Sequence, residues 1–199
     1  ARAIELAERL RARAPPRLVA AWPAIVCALP FVGVVALVLS HGRGTHLPPR
    51  LRAATGAIVR ADGTDEPCSR RVHDGALLCG EVVVEATQVA VDGVYHSCLS
   101  AHPPHGGTLV LTWDDLGLGR TLRLGGGVDD QAFVRRGAPI EVRALVDGEE
   151  VATLDVPVSH EWVERTVPVP GGAGAHDVRI EVRSDETNRR WLCLDAVSR

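Results

Sequence analysis

The chain reads as a mainly β domain, a β-sandwich, preceded by one transmembrane helix and a short N-terminal amphipathic helix. Three observations lead there. Residues Leu18–Leu39 form 22 consecutive positions without a charge. The part that follows is rich in Val, Leu, Gly and Pro, and short alternating apolar runs recur between turn residues. Four of the five cysteines (Cys68, Cys79, Cys98, Cys193) lie in that later part.

Residues 1–14, ARAIELAERLRARA, are strong helix formers with Ile4, Ala7, Leu10 and Ala14 at helical spacing. Glu5 and Arg9 stand four apart and pair along the opposite flank. Pro15-Pro16 is expected to end this helix or bend it into the span that follows. It is expected either on the inner membrane surface or as the tail of a longer cytoplasmic helix. At about 1.5 Å rise per residue, the uncharged run covers the ~30 Å hydrocarbon core of a bilayer. It lacks the polar face that a soluble helix turns to water. The run is longer than the ~7–15-residue apolar region of a signal peptide, and Ser40-His41-Gly42-Arg43 is a poor cleavage context. A retained anchor over residues 18–40 is therefore expected. Pro23, Pro30 and Gly33 fall near one face of it and mark a surface for packing another helix.

Residues 41–56 carry Gly, His, Pro-Pro and Arg without periodicity and read as a linker. The sandwich is expected over 57–199. Its strands are expected near 57–60, 80–86, 88–91, 108–113, 121–124, 139–146, 150–156, 161–169, 177–183 and 191–197. The strongest hairpin signal is EVRALV-DG-EEVATLDV, because Asp147-Gly148 suits a two-residue primed turn. Ile180 and Val182 alternate with Arg179, Glu181 and Arg183, the pattern of a strand with one wet face.

Charge and cysteine usage orient the chain. Residues 1–17 hold five arginines against two glutamates, which favours a cytoplasmic head. Residues 41–199 hold 17 arginines against 23 acids, and a net acidic domain argues against nucleic acid as a partner. Four cysteines on one side of the span fit two disulfides in an oxidising compartment. Of the three possible pairings, the favoured one joins Cys68 to Cys79 and Cys98 to Cys193. Zinc is the rival, weakened by the lack of a Cys-x-x-Cys pair. The expected location is a bacterial inner membrane, N-terminus cytoplasmic and sandwich periplasmic. The chain contains no Met, as expected where a start has been processed or lies upstream.

Four segments carry a resemblance: SCLSAHPPHGGTLVLTW, LGRTLRLGGGVDD, IEVRALVDGEEVATLDV and HDVRIEVRSDETNRRWLCLDAV. In strand order and turn chemistry, Cys98–Arg199 resembles the galactose-binding-like jelly rolls appended to bacterial envelope proteins, a carbohydrate-binding-module-like domain. The resemblance implies a jelly roll, a non-catalytic binding or interaction role, sugar binding through loops, and a structural calcium ion. The sequence departs from that family in showing neither a set of calcium ligands nor an aromatic sugar platform.

Candidate chemistry follows from side chains. His96, His102 and His105 cluster around Cys98, although His-Pro-Pro-His also suits a rigid turn. Asp114-Asp115, Asp129-Asp130 and Asp195 are candidate calcium ligands, and surface turns are equally often acidic. Trp113, Trp162, Trp191 and Tyr95 mostly fill a core, with Trp162 preferred for a binding surface alongside Asp114 and Asp129. Gly125-Gly126-Gly127 opens no helix and is no phosphate loop. Nothing orients Ser159, His160 and Asp155 as a triad, so no enzyme activity is expected. The leading expectation is an accessory subunit of a larger membrane protein complex, its sandwich covering the outer face. Its partners are then other membrane subunits and the lipid bilayer. The alternative is a carbohydrate-binding ectodomain that tethers or senses envelope glycans.

Overall fold

In the computed structural model of the 199-residue chain, residues 44–132, 138–186 and 190–199 are described. The expected head (1–17) and span (18–40), with Pro23, Pro30 and Gly33, lie outside the described residues. Among the described residues no helix is long and apolar enough to cross a membrane.

Period-two patterning with Gly and Asp turns makes the described residues almost entirely β. After a 3₁₀ helix (Pro48–Ala53) come β1 (Thr55–Arg60), β2 (Asp65–Pro67), β3 (Ser69–Arg70), β4 (Leu77–Cys79) and β5 (Val82–Val91). They are followed by β6 (Val94–Ala101), β7 (Gly107–Leu118), β8 (Thr121–Val128) and β9 (Ile140–Val146). The chain ends with β10 (Glu149–Val156), β11 (Val163–Pro168), β12 (Gly174–Arg183) and β13 (Leu192–Ser198). One sheet has six strands in the order β10-β9-β12-β7-β1-β2, and the other seven in the order β11-β8-β13-β6-β5-β4-β3. All pairings are antiparallel.

The eight strands β6 to β13 form a jelly-roll frame, β10-β9-β12-β7 facing β11-β8-β13-β6, with β10 packed against β8 and β11. The connections β6–β7, β7–β8, β11–β12 and β12–β13 each cross from one sheet to the other. β1 and β2 extend the first sheet beyond β7, and β5, β4 and β3 extend the second beyond β6. Ile58, Leu109, Leu111, Val142, Ile180 and Val182 face inward from this six-stranded sheet, and Leu122, Leu124, Val128 and Leu192 face them from the other. The intervening Glu141, Arg143, Arg179, Glu181 and Arg183 point outward and pair with one another.

Two sequence expectations are corrected. Residues 44–56 are not a free linker: Leu47, Leu51 and Ala54 are buried in the core, and Leu47 N–H donates to Ala196 O at 2.9 Å. Trp113 Nε1 donates to Arg50 O at 3.0 Å, which fastens the 3₁₀ helix to the core. The apolar residues of 44–56 sit too irregularly for a periodicity argument to find them. A strand, β6, also occupies 94–101, where none was expected; its exposed Tyr95 and Ser97 and its half-buried His96 give no apolar alternation. The turn before it is Asp92-Gly93 with φ of 52° and 71°, like Asp147-Gly148 with 52° and 80°. Both residues of each pair are in the left-handed region, as a type I′ hairpin requires.

The disulfides are Cys68–Cys79, closing a sequence separation of 11, and Cys98–Cys193, closing one of 95. A chain-entropy account assigns about 4.7 kcal/mol to a loop near 100 residues and about 3 kcal/mol to one near 15. The double variant C98S/C193S should therefore lose about 4–5 kcal/mol in urea unfolding, and C68S/C79S no more than about 3 kcal/mol. Equal losses would refute this ordering.

His176, buried at the start of β12, ties two turns to that strand. Its Nδ1 lies 2.7 Å from Asp147 Oδ2 and its Nε2 lies 3.0 Å from Gly172 O. Only an imidazolium has a proton for both acceptors. The bond with Asp147 accordingly raises the His176 pKa above 6.5, against burial, and lowers that of Asp147 below 3.8. The histidine's contribution is full below pH 6.5 and fades as pH rises through its higher folded-state pKa. The aspartate's is full above pH 3.8 and fades as pH falls through its lower one. Thermal stability should therefore decline from mildly acidic toward alkaline pH, and H176Q should flatten that slope. An unchanged slope in H176Q would count against this clamp.

Candidate ligand-binding groove

Alternation along β5 turns Val82 and Val84 into the core and Val83, Glu85, Thr87 and Val89 to the outer face of the seven-stranded sheet. These outer residues line an open groove of about 410 Å³, within the range of roughly 300–1,000 Å³ typical of small-molecule sites. Glu81 stands at one end, Ser100 lies opposite Glu85 on β6, and His102 follows β6. Asp129 and Trp191 complete the wall, from the residues just after β8 and just before β13. A backbone bond, Asp129 N–H to Trp191 O at 2.9 Å, holds these two segments together.

Trp191 is 40% exposed and keeps its indole in the groove wall. The His102 ring meets it edge-on, with centroids 5.4 Å apart and planes at 68°. Burial lowers the His102 pKa below 6.5, outweighing the hydrogen bond with the Arg190 backbone and the charge of Glu81. His102 is thus neutral at neutral pH. The groove therefore combines an exposed apolar ring, hydroxyl and amide groups from Thr87, Ser100 and Gln88, and three carboxylates (Glu81, Glu85, Asp129). This set suits a polar ligand with one apolar face.

Trp162, the tryptophan preferred from sequence, has a different job. Its ring stacks on His96 with centroids 3.8 Å apart and planes at 9°, beside Val89, Val91 and the buried Cys98–Cys193 pair. It lies against Gly125 and Gly127 of β8, where a Cβ would come within 2.6 Å and 3.2 Å of ring carbons. The triple glycine thus continues a strand and makes room for an indole. Asp129 lines the groove, whereas Asp114 sits exposed at an irregularity of β7, away from the groove lining. Asp195 is buried against His46 (2.6 Å) and Arg123 (3.0 Å), so its oxygens are committed to an ion-pair network.

The three histidines are dispersed in role: His96 covers Trp162, His102 meets Trp191, and the His105 carbonyl accepts from Arg60. Among the described residues no group of three His, Cys, Asp or Glu is placed to hold a metal ion. His160 Nδ1 lies 3.6 Å from Asp130, rather than beside Asp155, and the buried Ser159 hydroxyl has no hydrogen-bond partner. Sequence reasoning missed Glu81, Glu85, Gln88 and His102 as a set. The second Val-Asp-Gly, at 91–93, was the signal that would have paired β5 with β6.

No protein-family model matches the chain, and no curated protein matches it. Several solved carbohydrate-binding modules are similar in structure. The CBM51-2 and INT domains of Clostridium perfringens ZmpB match at 13% identity with a TM-score of 0.42, over 71% of this chain and 31% of that one. This chain thus spans about a third of that structure's length. CBM51 from Clostridium perfringens GH95, in complex with methyl-galactose, matches at 13% identity with a TM-score of 0.43, over 78% of this chain and 100% of that one. CBM36 in complex with calcium and xylotriose matches at 9% identity with a TM-score of 0.35, over 58% and 90%.

Gly127 offers a direct check on the packing beneath Trp162. An added Cβ there would lie 2.6 Å from Val91 Cγ1 and 3.2 Å from both Trp162 Cε3 and Glu161 O. Overpacking of this kind costs about 1–3 kcal/mol. G127A should lower unfolding free energy by that amount in denaturant titration, and a neutral result would contradict the close approach.

Proposed function

We propose that the sandwich is a carbohydrate-binding ectodomain, with the groove at Trp191 as its site. The observation that carries this reading is an indole left exposed in the wall of a groove bordered by hydrogen-bonding side chains. A pyranose has one face of C–H groups and a rim of hydroxyls, the complement of an aromatic plate ringed by carboxylate, hydroxyl and amide groups. Binding needs no reaction, so the domain acts by holding its ligand.

The accessory-subunit reading calls for a broad apolar surface. The outer face of β9 and β12 instead carries a lattice of Arg143, Arg179 and Arg183 with Glu141 and Glu181. Among the described residues the large exposed apolar ones are Val72, Val83, Val94, Tyr95 and Trp191, of which Val83 and Trp191 line the groove. This distribution favours glycan binding. In the same proposal, residues 18–40 anchor the domain in the inner membrane and hold it on the oxidising, extracytoplasmic side.

A glycan array probed with the full-length chain in a detergent without a sugar headgroup should give discrete hits. W191A should weaken the best hit by at least ~10-fold, equivalent to about 1.4 kcal/mol, while its melting temperature stays near that of the parent. An array without hits, or undiminished binding by W191A, would overturn the assignment.

A further inference from the structure

The groove's charge narrows the ligand class, an inference that rests on the glycan-binding reading above. Several outward carboxylates elsewhere on the strands have arginine partners, while Asp65, Glu149 and Asp155 have none among the described residues. Glu141, Glu150 and Glu181 meet Arg143, and Glu164 and Asp195 meet Arg123. Glu66, on β2, meets Arg60. In the groove, Glu81 and Glu85 have no arginine partner among the described residues. Among the described residues the lining contains no Arg or Lys, and its one histidine is His102. Three carboxylates therefore surround an exposed indole without a balancing cation from the described lining.

We propose that the groove selects glycans bearing a free amine, that is, 2-amino sugars that are not N-acetylated. Carboxylates alone would attract any cation. The indole of Trp191 adds a requirement for a flat C–H face, and it also attracts an ammonium group over its ring. A protonated amino sugar supplies both on one ring. Asp129 lies beside Trp191 through their backbone bond, so an ammonium group over the indole sits next to a carboxylate. Glu85 and Val83 stand on β5, and Glu81 in the turn just before it, and all three line the groove. N-acetylation removes the charge and adds bulk, and uronic or sialic acids bring like charge to the groove.

The test is calorimetric titration of the full-length chain with tri-glucosamine, tri-N-acetylglucosamine and tri-lysine, at low ionic strength and mildly acidic pH. Tri-glucosamine should bind at least ~10-fold more tightly than the acetylated trimer. The E81Q/E85Q variant should lose that preference, its affinity for tri-glucosamine falling to the level of its affinity for the acetylated trimer. Added salt should weaken the glucosamine trimer selectively. Equal binding of the two sugars, or preference for the acetylated one, overturns the amine inference and leaves glycan binding standing. Tri-lysine binding as tightly as tri-glucosamine overturns it as well, because the sugar face would then contribute nothing. If no sugar binds here and the glycan array is also blank, both readings fall.

Discussion

The last strand must insert between β6 and β8, and the rest of the domain depends on that closure. β13 pairs with β8 over seven positions and with β6 over three. It also receives the N-terminal segment, through Leu47 to Ala196 and Ser198 to Thr45. The Cys98–Cys193 bridge fixes the partner strand 95 residues away and so restricts the unfolded chain where loop closure is most costly. The same insertion brings Trp191, at the entry to β13, beside Asp129 at the exit of β8. The groove wall is thus a consequence of closing the sheet.

The two outer faces of the sandwich answer the problem of solvent in different ways. On the six-stranded sheet, arginines and glutamates alternate across β9 and β12 and satisfy one another. On the seven-stranded sheet, an apolar patch of Val89, Val91 and the Cys98–Cys193 pair is roofed by Trp162 and His96. Beyond the edge of that roof the face opens into the groove, where an indole and three carboxylates meet water. The groove thus gathers three carboxylates and an exposed indole on one stretch of the seven-stranded sheet.

Local signals were readable to different depths. Strands with clean alternation, such as β9, β10 and β12, follow directly from their sequences, because one buried face imposes period two. Asp147-Gly148 marked its hairpin, whereas the identical Asp92-Gly93 was overlooked because the strand after it is polar. The glycines of β8 read as an end to the strand, since glycine has no intrinsic strand preference; they are accommodated because Trp162 supplies the missing volume. Leu47 and Leu51 were invisible in an aperiodic stretch, and their burial depends on Trp113 and on β13, both distant in sequence.

By itself the sequence determined a strand-rich domain with alternating faces, an even set of late cysteines, and an uncharged run of bilayer length near its start. These are properties of neighbours in the chain, governed by side-chain period, turn chemistry and transfer from water. Which tryptophan faces solvent was decided only by tertiary structure. Trp162 and Trp191 have similar local settings, and the glycines, the histidine and the disulfide that cover one of them come from three other strands. The groove's acidity was likewise hidden, because Glu81, Glu85 and Asp129 become neighbours only when β5 and the end of β8 are folded onto one face.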